Sequence, residues 1–180
     1  MEARDCLMQR RSCRNYLPKA VDRETIYEIM EQVRYAPSWK NTQITRYTVI
    51  EDTALKTDIA ENGILGFTFN AKTIMSAPLL VAVSYEQGLS GRSADGSFDT
   101  AEEDAWEMMD VGISVQTFCL AAREYDLGTC IMGIMDSDYI HRALALPESQ
   151  KIACLITLGY PEKWNGAPAR KSVEELLTIR

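Results

Sequence analysis

The sequence predicts an α+β sandwich, with helices packed around a mostly antiparallel or mixed β-sheet. Three observations point there. Two continuous apolar runs, residues 78–84 and 151–160, have the character of strands buried on both faces. Stretches of helical periodicity lie between the strands, yet the two types do not alternate in a strict βαβ rhythm. Neither G-x-G-x-x-G nor G-x-x-x-x-G-K-S/T occurs, so nothing supports a Rossmann dinucleotide site or a P-loop.

The elements are taken in chain order. Residues 4–9 read as a short helix with Cys6 and Leu7 as its apolar positions, and Pro18 interrupts the chain beyond Tyr16. Asp22 is placed to cap a helix over residues 23–35, where Ile26, Ile29, Met30 and Val33 recur at helical spacing; Pro37 ends it. Residues 46–50 are rich in β-formers and predict a strand, and a helix is expected over 53–62. Residues 86–100 carry Gly, Ser and Asp and predict a loop. The longest helix is expected over 101–125. Trp106, Met109, Ile113, Gln116 and Leu120 trace one stripe there, widened by Ala105, Met108, Gly112, Val115 and Cys119. A helix apolar over so much of its girth belongs in the core or at a subunit interface. Residues 128–133 read as a short strand or turn and 138–144 as a helix. The tail from Pro161 is polar and ends in a second basic spot, Arg170 and Lys171.

Composition narrows the function classes. A chain of 180 residues, 46% hydrophobic, suits one domain spanning residues 1–180 and excludes a disordered protein. A net charge of −7 argues against nucleic-acid partners and anionic membranes. No apolar run approaches the ~20 residues that span a bilayer, and the opening Met-Glu-Ala-Arg-Asp has no secretory character. Five scattered cysteines without a C-x-x-C pair suit reduced thiols, and so a cytoplasmic location, better than disulfides or a zinc site. The single histidine, His141, sits in a polar helical stretch and reads as a surface residue. Metal catalysis and Ser/His or Cys/His chemistry therefore have little to work with.

Against this acidic background one stretch stands out. Arg10-Arg11-Ser12-Cys13-Arg14-Asn15-Tyr16 places three guanidiniums and a hydroxyl within five positions. Guanidinium grips phosphate through paired hydrogen bonds, so the cluster suits a phosphate monoester; a solvated basic face is the plainer reading.

Further segments complete a pattern. The cluster resembles the R-R-S-x-R-x-F/Y opening of the FMN-dependent nitroreductase family. Ala36-Pro37-Ser38-Trp39-Lys40-Asn41-Thr42-Gln43 is similar to its A-P-S-x-x-N-x-Q segment. Gly128-Thr129-Cys130-Ile131-Met132-Gly133 resembles its G-L/T-x-x-x-G turn after the long helix, and Leu158-Gly159-Tyr160-Pro161 with Ala169-Arg170-Lys171-Ser172 resembles its last strand and basic tail. The four occur in the family's order over nearly the whole chain.

The resemblance implies a dimeric three-layer sandwich with FMN at the subunit interface. Arg10, Ser12 and Arg14, with Arg11 and with Arg170 or Lys171 from the tail, would hold the FMN phosphate and ribityl chain. Pro37, Ser38, Trp39, Asn41 and Gln43 would reach the flavin ring from the neighbouring subunit. Asn70 would meet the ring's pyrimidine edge, with Lys72 or Arg14 as a nearby cation. Met132 and Gly133 would offer backbone N–H groups to the flavin. NADH or NADPH would be the electron donor, and a nitroaromatic, quinone or activated alkene the acceptor, in a ping-pong reaction that asks no catalytic residue of the protein. A flavin-dependent dehydrogenase, a reductive dehalogenase-type member with another donor, and a non-catalytic FMN-binding module are the alternatives. Two departures concern substrate choice: Gln43 lacks the usual following Pro-Trp, and Trp39-Lys40 replace smaller residues. Tyr85, Phe98 and Trp106 are candidates for an aromatic wall around the substrate.

Overall fold

Four antiparallel strands form the centre of the computed structural model, which describes residues 2–180. In chain order they are β1 (Thr45–Ile50), β2 (Leu79–Glu86), β3 (Gly128–Met132) and β4 (Gln150–Gly159); across the sheet they run β1-β2-β4-β3. No parallel pair forms within the sheet, which settles the expected choice between mixed and antiparallel.

Strand alternation builds two cores. Leu79, Val81, Val83 and Tyr85 of β2 face α2 (Arg23–Val33) and α5 (Ala105–Glu124), where Phe118 is fully buried and stacks on Tyr47 with ring centroids 5.3 Å apart. Leu80 and Ala82 face the opposite way, toward α3 (Thr53–Asn62), α4 (Thr68–Ser76) and α6 (Ser137–Ala143). The result is the three-layer arrangement of helices, sheet and helices. The register between β2 and β4 slips once: Val83 pairs with Cys154, but Ser84 pairs with Ile152. The extra residue, Ala153, is a β-bulge, and it sends Ile152 and Cys154 into opposite cores although they are two positions apart.

Several expectations need correction. Helix α5 starts at Ala105, because residues 101–104 form turns in which Glu103 adopts φ 49°. Its core face is Asp110, Val111, Ser114, Val115, Phe118 and Ala122, whereas Met108 and Met109 are exposed and Ile113 and Leu120 only half-buried. The predicted apolar stripe is thus displaced, since two polar residues of the core face have partners that offset the cost of burial: Ser114 meets Tyr47 Oη at 2.8 Å, and Asp110 accepts the Trp39 N–H. Helix α4 carries no start signal in sequence; its N-cap is Phe67, with no side-chain cap. Asp22 does precede α2, but its side chain makes no capping bond, while Asp52 and Asp136 do cap α3 and α6. Tyr85 is a core residue and belongs to no aromatic wall. The polar tail contains one short turn of helix, α7 (Val173–Leu176), closed by a Ser172/Glu175 capping box.

All five cysteines are free and buried. Among the described residues no helix is long and apolar enough to cross a membrane.

Candidate functional site

The Arg10–Tyr16 segment leaves α1 (Ala3–Gln9) and runs along β3, at the edge of the sheet. Ser12 bridges Thr129 in parallel, and the Cys13 N–H donates to Thr129 O at 2.8 Å. The Tyr16 N–H donates to Ser76 Oγ at 3.0 Å; its hydroxyl donates to Cys13 O at 2.8 Å and lies 2.7 Å from Thr157 Oγ1. Burial holds the Tyr16 phenol far above its ordinary pKa, so it stays neutral and keeps its donor proton.

Close approach to β3 depends on Gly128. A Cβ at that position would stand 2.6 Å from Cys13 Cβ and 2.9 Å from Pro161 Cγ. Gly128→Ala is therefore expected to push the Arg10–Tyr16 segment off the sheet, at a cost of about 1–3 kcal/mol. Urea unfolding checks this; an unchanged midpoint would mean that the segment gives way freely.

The segment and the tail line one open groove of about 310 Å³. Arg10, Ser12, Arg14 and Arg170 contribute to it, with Asn165, Gly166 and Pro168 along the tail side. No carboxylate lines it, and among the described residues none of Arg10, Arg14 and Arg170 forms an ion pair. Two residues of the sequence-predicted cradle behave differently. Arg11 lines the groove, but its Nη1 donates to Met8 O and Arg10 O at 2.7 and 2.8 Å, closing the end of α1. Lys171 is exposed and does not line the groove.

Helix α4 adjoins this groove through Arg14, whose guanidinium lies 5.6 Å from the Phe69 ring. Asn70, buried beside Phe69, donates to Ile134 O at 3.4 Å. The Met132 side chain is buried in the sheet's second core, so only its backbone is available to a ligand. Gly133 is exposed, and a Cβ there would meet nothing within 4 Å. Lys72 is exposed on α4 and takes no part in the groove.

Pro37, Ser38, Trp39, Asn41 and Gln43 form a second group, a tight turn before β1. Lys40, Asn41 and Gln43 all have positive φ, at 44°, 58° and 50°, an unusual run for residues with side chains. Local bonds hold it: the Gln43 N–H donates to Ser38 Oγ at 2.9 Å, and Gln43 Nε2 to Asn41 Oδ1 at 2.9 Å. The anchor is Asp110 of α5. Its buried carboxylate accepts the Trp39 N–H at 2.9 and 3.0 Å, Ser90 Oγ at 2.5 Å and Thr42 Oγ1 at 3.4 Å. The Trp39 ring packs on Trp106, centroids 4.5 Å apart, and the two share an apolar groove with Pro37, Met109 and Ile113. Lys40 reaches Asp99 at 2.6 Å, tying the turn to the 87–104 loop. Hydrogen bonds from Lys40 and Ser93 hold the Asp99 carboxyl below its ordinary range. Phe98 lies under the Arg92 guanidinium and does not join the tryptophans.

Apart from Lys72 and Lys171, the predicted residues thus fall into two groups, and the arginine groove and the Trp39 turn share no lining residue. Asp110 and Asn165 were not among the sequence candidates. A carboxylate flanked by Met109 and Val111 within a long, largely apolar helix is a signal that could have found Asp110; Asn165 has none.

Comparison with protein families matches the chain to the nitroreductase family over residues 7–65 and 67–160. The chain belongs to the nitroreductase family. Its nitroreductase fold is shared with a nitroreductase family protein from Streptococcus pneumoniae, with a TM-score of 0.86 and 18% identity over 99% of this chain and 100% of the other. A protein from Desulfovibrio desulfuricans solved in complex with FMN has a TM-score of 0.80 and 25% identity, covering 100% and 97% of the two chains. A Thermus thermophilus NADH dehydrogenase is 24% identical over 95% of this chain and 92% of its own length. Both groups of candidate residues lie within the matched nitroreductase segments except Asn165 to Lys171, which lie beyond them.

Proposed function

We propose that this nitroreductase-family protein is an FMN-dependent oxidoreductase that takes a hydride from NADH or NADPH and reduces an electron-poor small molecule, a nitroaromatic, quinone or activated alkene, in two half-reactions. The observation that carries the reading is the groove where Arg10 and Arg14 meet Arg170, from the other end of the chain, with no carboxylate to satisfy them. Three such cations suit a phosphate dianion. Family membership and the FMN held by the Desulfovibrio relative say which phosphate monoester to expect.

The residues fit that cofactor. Arg10, Arg14 and Arg170 would bind its phosphate, with Ser12 adding a hydroxyl donor. Asn70 has amide donors and an acceptor to offer a heterocycle edge, and the open space at Gly133 admits a ring against the backbone. When bound, FMN supplies the hydride-transfer chemistry itself, so the protein's task is to bind, orient and exclude. A homodimer fits the same layout. The Trp39 turn is separate from the arginine groove within one chain, and a second copy can bring the two together. The exposed Met108 and Met109 of α5 give such a copy an apolar face to cover.

The test is anaerobic mixing of the FMN-loaded protein with NADH and with NADPH, followed by nitroaromatic, quinone and enone acceptors. Bleaching of the flavin band by one nicotinamide and its recovery with an acceptor are expected, from a species that elutes as a dimer. No bleaching with either nicotinamide would overturn the reading.

A further inference from the structure

The segment after β4, residues 161–171, is exposed beyond Pro161 and is held at four points. Pro161 bridges Tyr16. The Glu162 N–H donates to Asn15 O at 3.1 Å, and Asn165 Nδ2 donates to Ser12 O at 3.2 Å. Trp164 lies with its ring 4.1 Å from the Arg123 guanidinium. Three of these ties thus land on the segment that carries Ser12 and Arg14. The fourth lands on a buried cation of α5, which also binds Asp126 Oδ1 at 2.8 Å and Gln9 Oε1, next to Arg10, at 3.3 Å. Beyond Asn165 the chain runs along the groove rim through Gly166 and Pro168 to Arg170.

We propose that residues 161–171 are a strap that closes over the arginine groove when a phosphate monoester occupies it, with Trp164 as the residue that positions the strap. The inference rests on the assignment of this groove to a flavin phosphate. Apart from half-buried Pro161 and the part of Trp164 that lies on Arg123, the strap's residues are exposed, so packing offsets only part of the entropy of ordering it. Its closed path brings Arg170 to a groove already holding Arg10 and Arg14, with no carboxylate in the lining. Without an anion these like charges oppose closure; a dianion among them reverses the sign. Trp164 is absent from the groove lining, so it acts on the anion only through the strap. It covers a buried guanidinium whose Nε has no hydrogen-bond partner among the described residues, a setting in which a cation–π contact is strongest. That contact fixes where the strap passes, six positions before Arg170.

Limited trypsin digestion of the full chain reads the strap directly, because Lys163, Arg170 and Lys171 lie within it. FMN is expected to slow cleavage at these sites about tenfold, inorganic phosphate at millimolar concentration less so, and riboflavin, which lacks the phosphate, not at all. In parallel, Trp164→Ala should weaken FMN binding about tenfold, the equivalent of one charge-assisted hydrogen bond, with riboflavin affinity unchanged and Trp164→Phe close to the parent protein. Cleavage at the same rate with and without FMN overturns the strap. So does an equal loss of FMN and riboflavin affinity in Trp164→Ala, which would mark a purely structural role. If neither flavin binds, the functional reading fails and inorganic phosphate alone decides: protection supports a phosphate-closed strap, and its absence overturns it.

Discussion

Replacing Arg10 and Arg14 together by alanine is expected to weaken FMN binding by two to four orders of magnitude while leaving the fold intact. A hydrogen bond between charged partners contributes about 1.5–3 kcal/mol, and two such residues are removed, so the loss is about 3–6 kcal/mol. The fold should tolerate the change. Neither guanidinium is ion-paired among the described residues, and both stand near Arg170. Removing them therefore deletes like-charge repulsion and breaks no ion pair. Flavin fluorescence titration measures the first effect and thermal unfolding of the ligand-free protein the second. Unchanged FMN affinity would place the phosphate elsewhere on the molecule. A collapse of the fold would mean that the arginines are structural.

Asp110→Ala is expected to act in the opposite way, through stability first. The substitution removes the common acceptor of the Trp39 N–H, Ser90 Oγ and Thr42 Oγ1. Ser90 is fully buried, so its hydroxyl is left with Thr42 Oγ1, at 2.9 Å, as its partner among the described residues. A carboxylate accepting a short bond and a backbone N–H, with donors stranded by its loss, corresponds to about 3 kcal/mol. For a chain of this size that lowers Tm by roughly 6–12 °C. Asp110→Asn keeps one oxygen acceptor and should lose less. Amide hydrogen exchange should quicken over residues 38–43 in the alanine variant, since three left-handed residues persist there only while their surroundings hold them. A loss under about 1 kcal/mol would show that the turn holds itself.

How much of the molecule is legible in sequence differs between the fold and the site. The strands at 78–84 and 151–160 can be placed almost to the residue, because a strand buried on both faces has to be apolar throughout. The bulge at Ala153 cannot, since an inserted residue leaves an apolar run apolar. Helix α4 escapes because Phe67 supplies no capping signal. The face of α5 is misread for a chemical reason: periodicity counts Asp110 and Ser114 as solvent residues, whereas hydrogen bonds to the Trp39 turn and to Tyr47 let them face inward. At the site, Arg10, Ser12, Arg14 and Arg170 do share a groove although the ends of the chain are far apart in sequence. The divergent paths of Arg11 and Lys171 depend on which backbone carbonyls and rims lie nearby, and residue type alone does not encode that.

The Ser12–Cys13 segment also bears on solubility. Strand β3 is an edge strand, with β4 on one side only. On its open side the Ser12–Thr129 bridge and the Cys13 N–H bond to Thr129 O occupy backbone groups that would otherwise be free. An uncovered edge is a template for pairing with another chain, and exposed Ile131 next to it would make such pairing stickier. The stretch that carries the arginines is therefore also the guard of the sheet. Whatever peels it away, such as a bulkier residue at Gly128, exposes a strand that invites aggregation as well as taking apart the arginine groove.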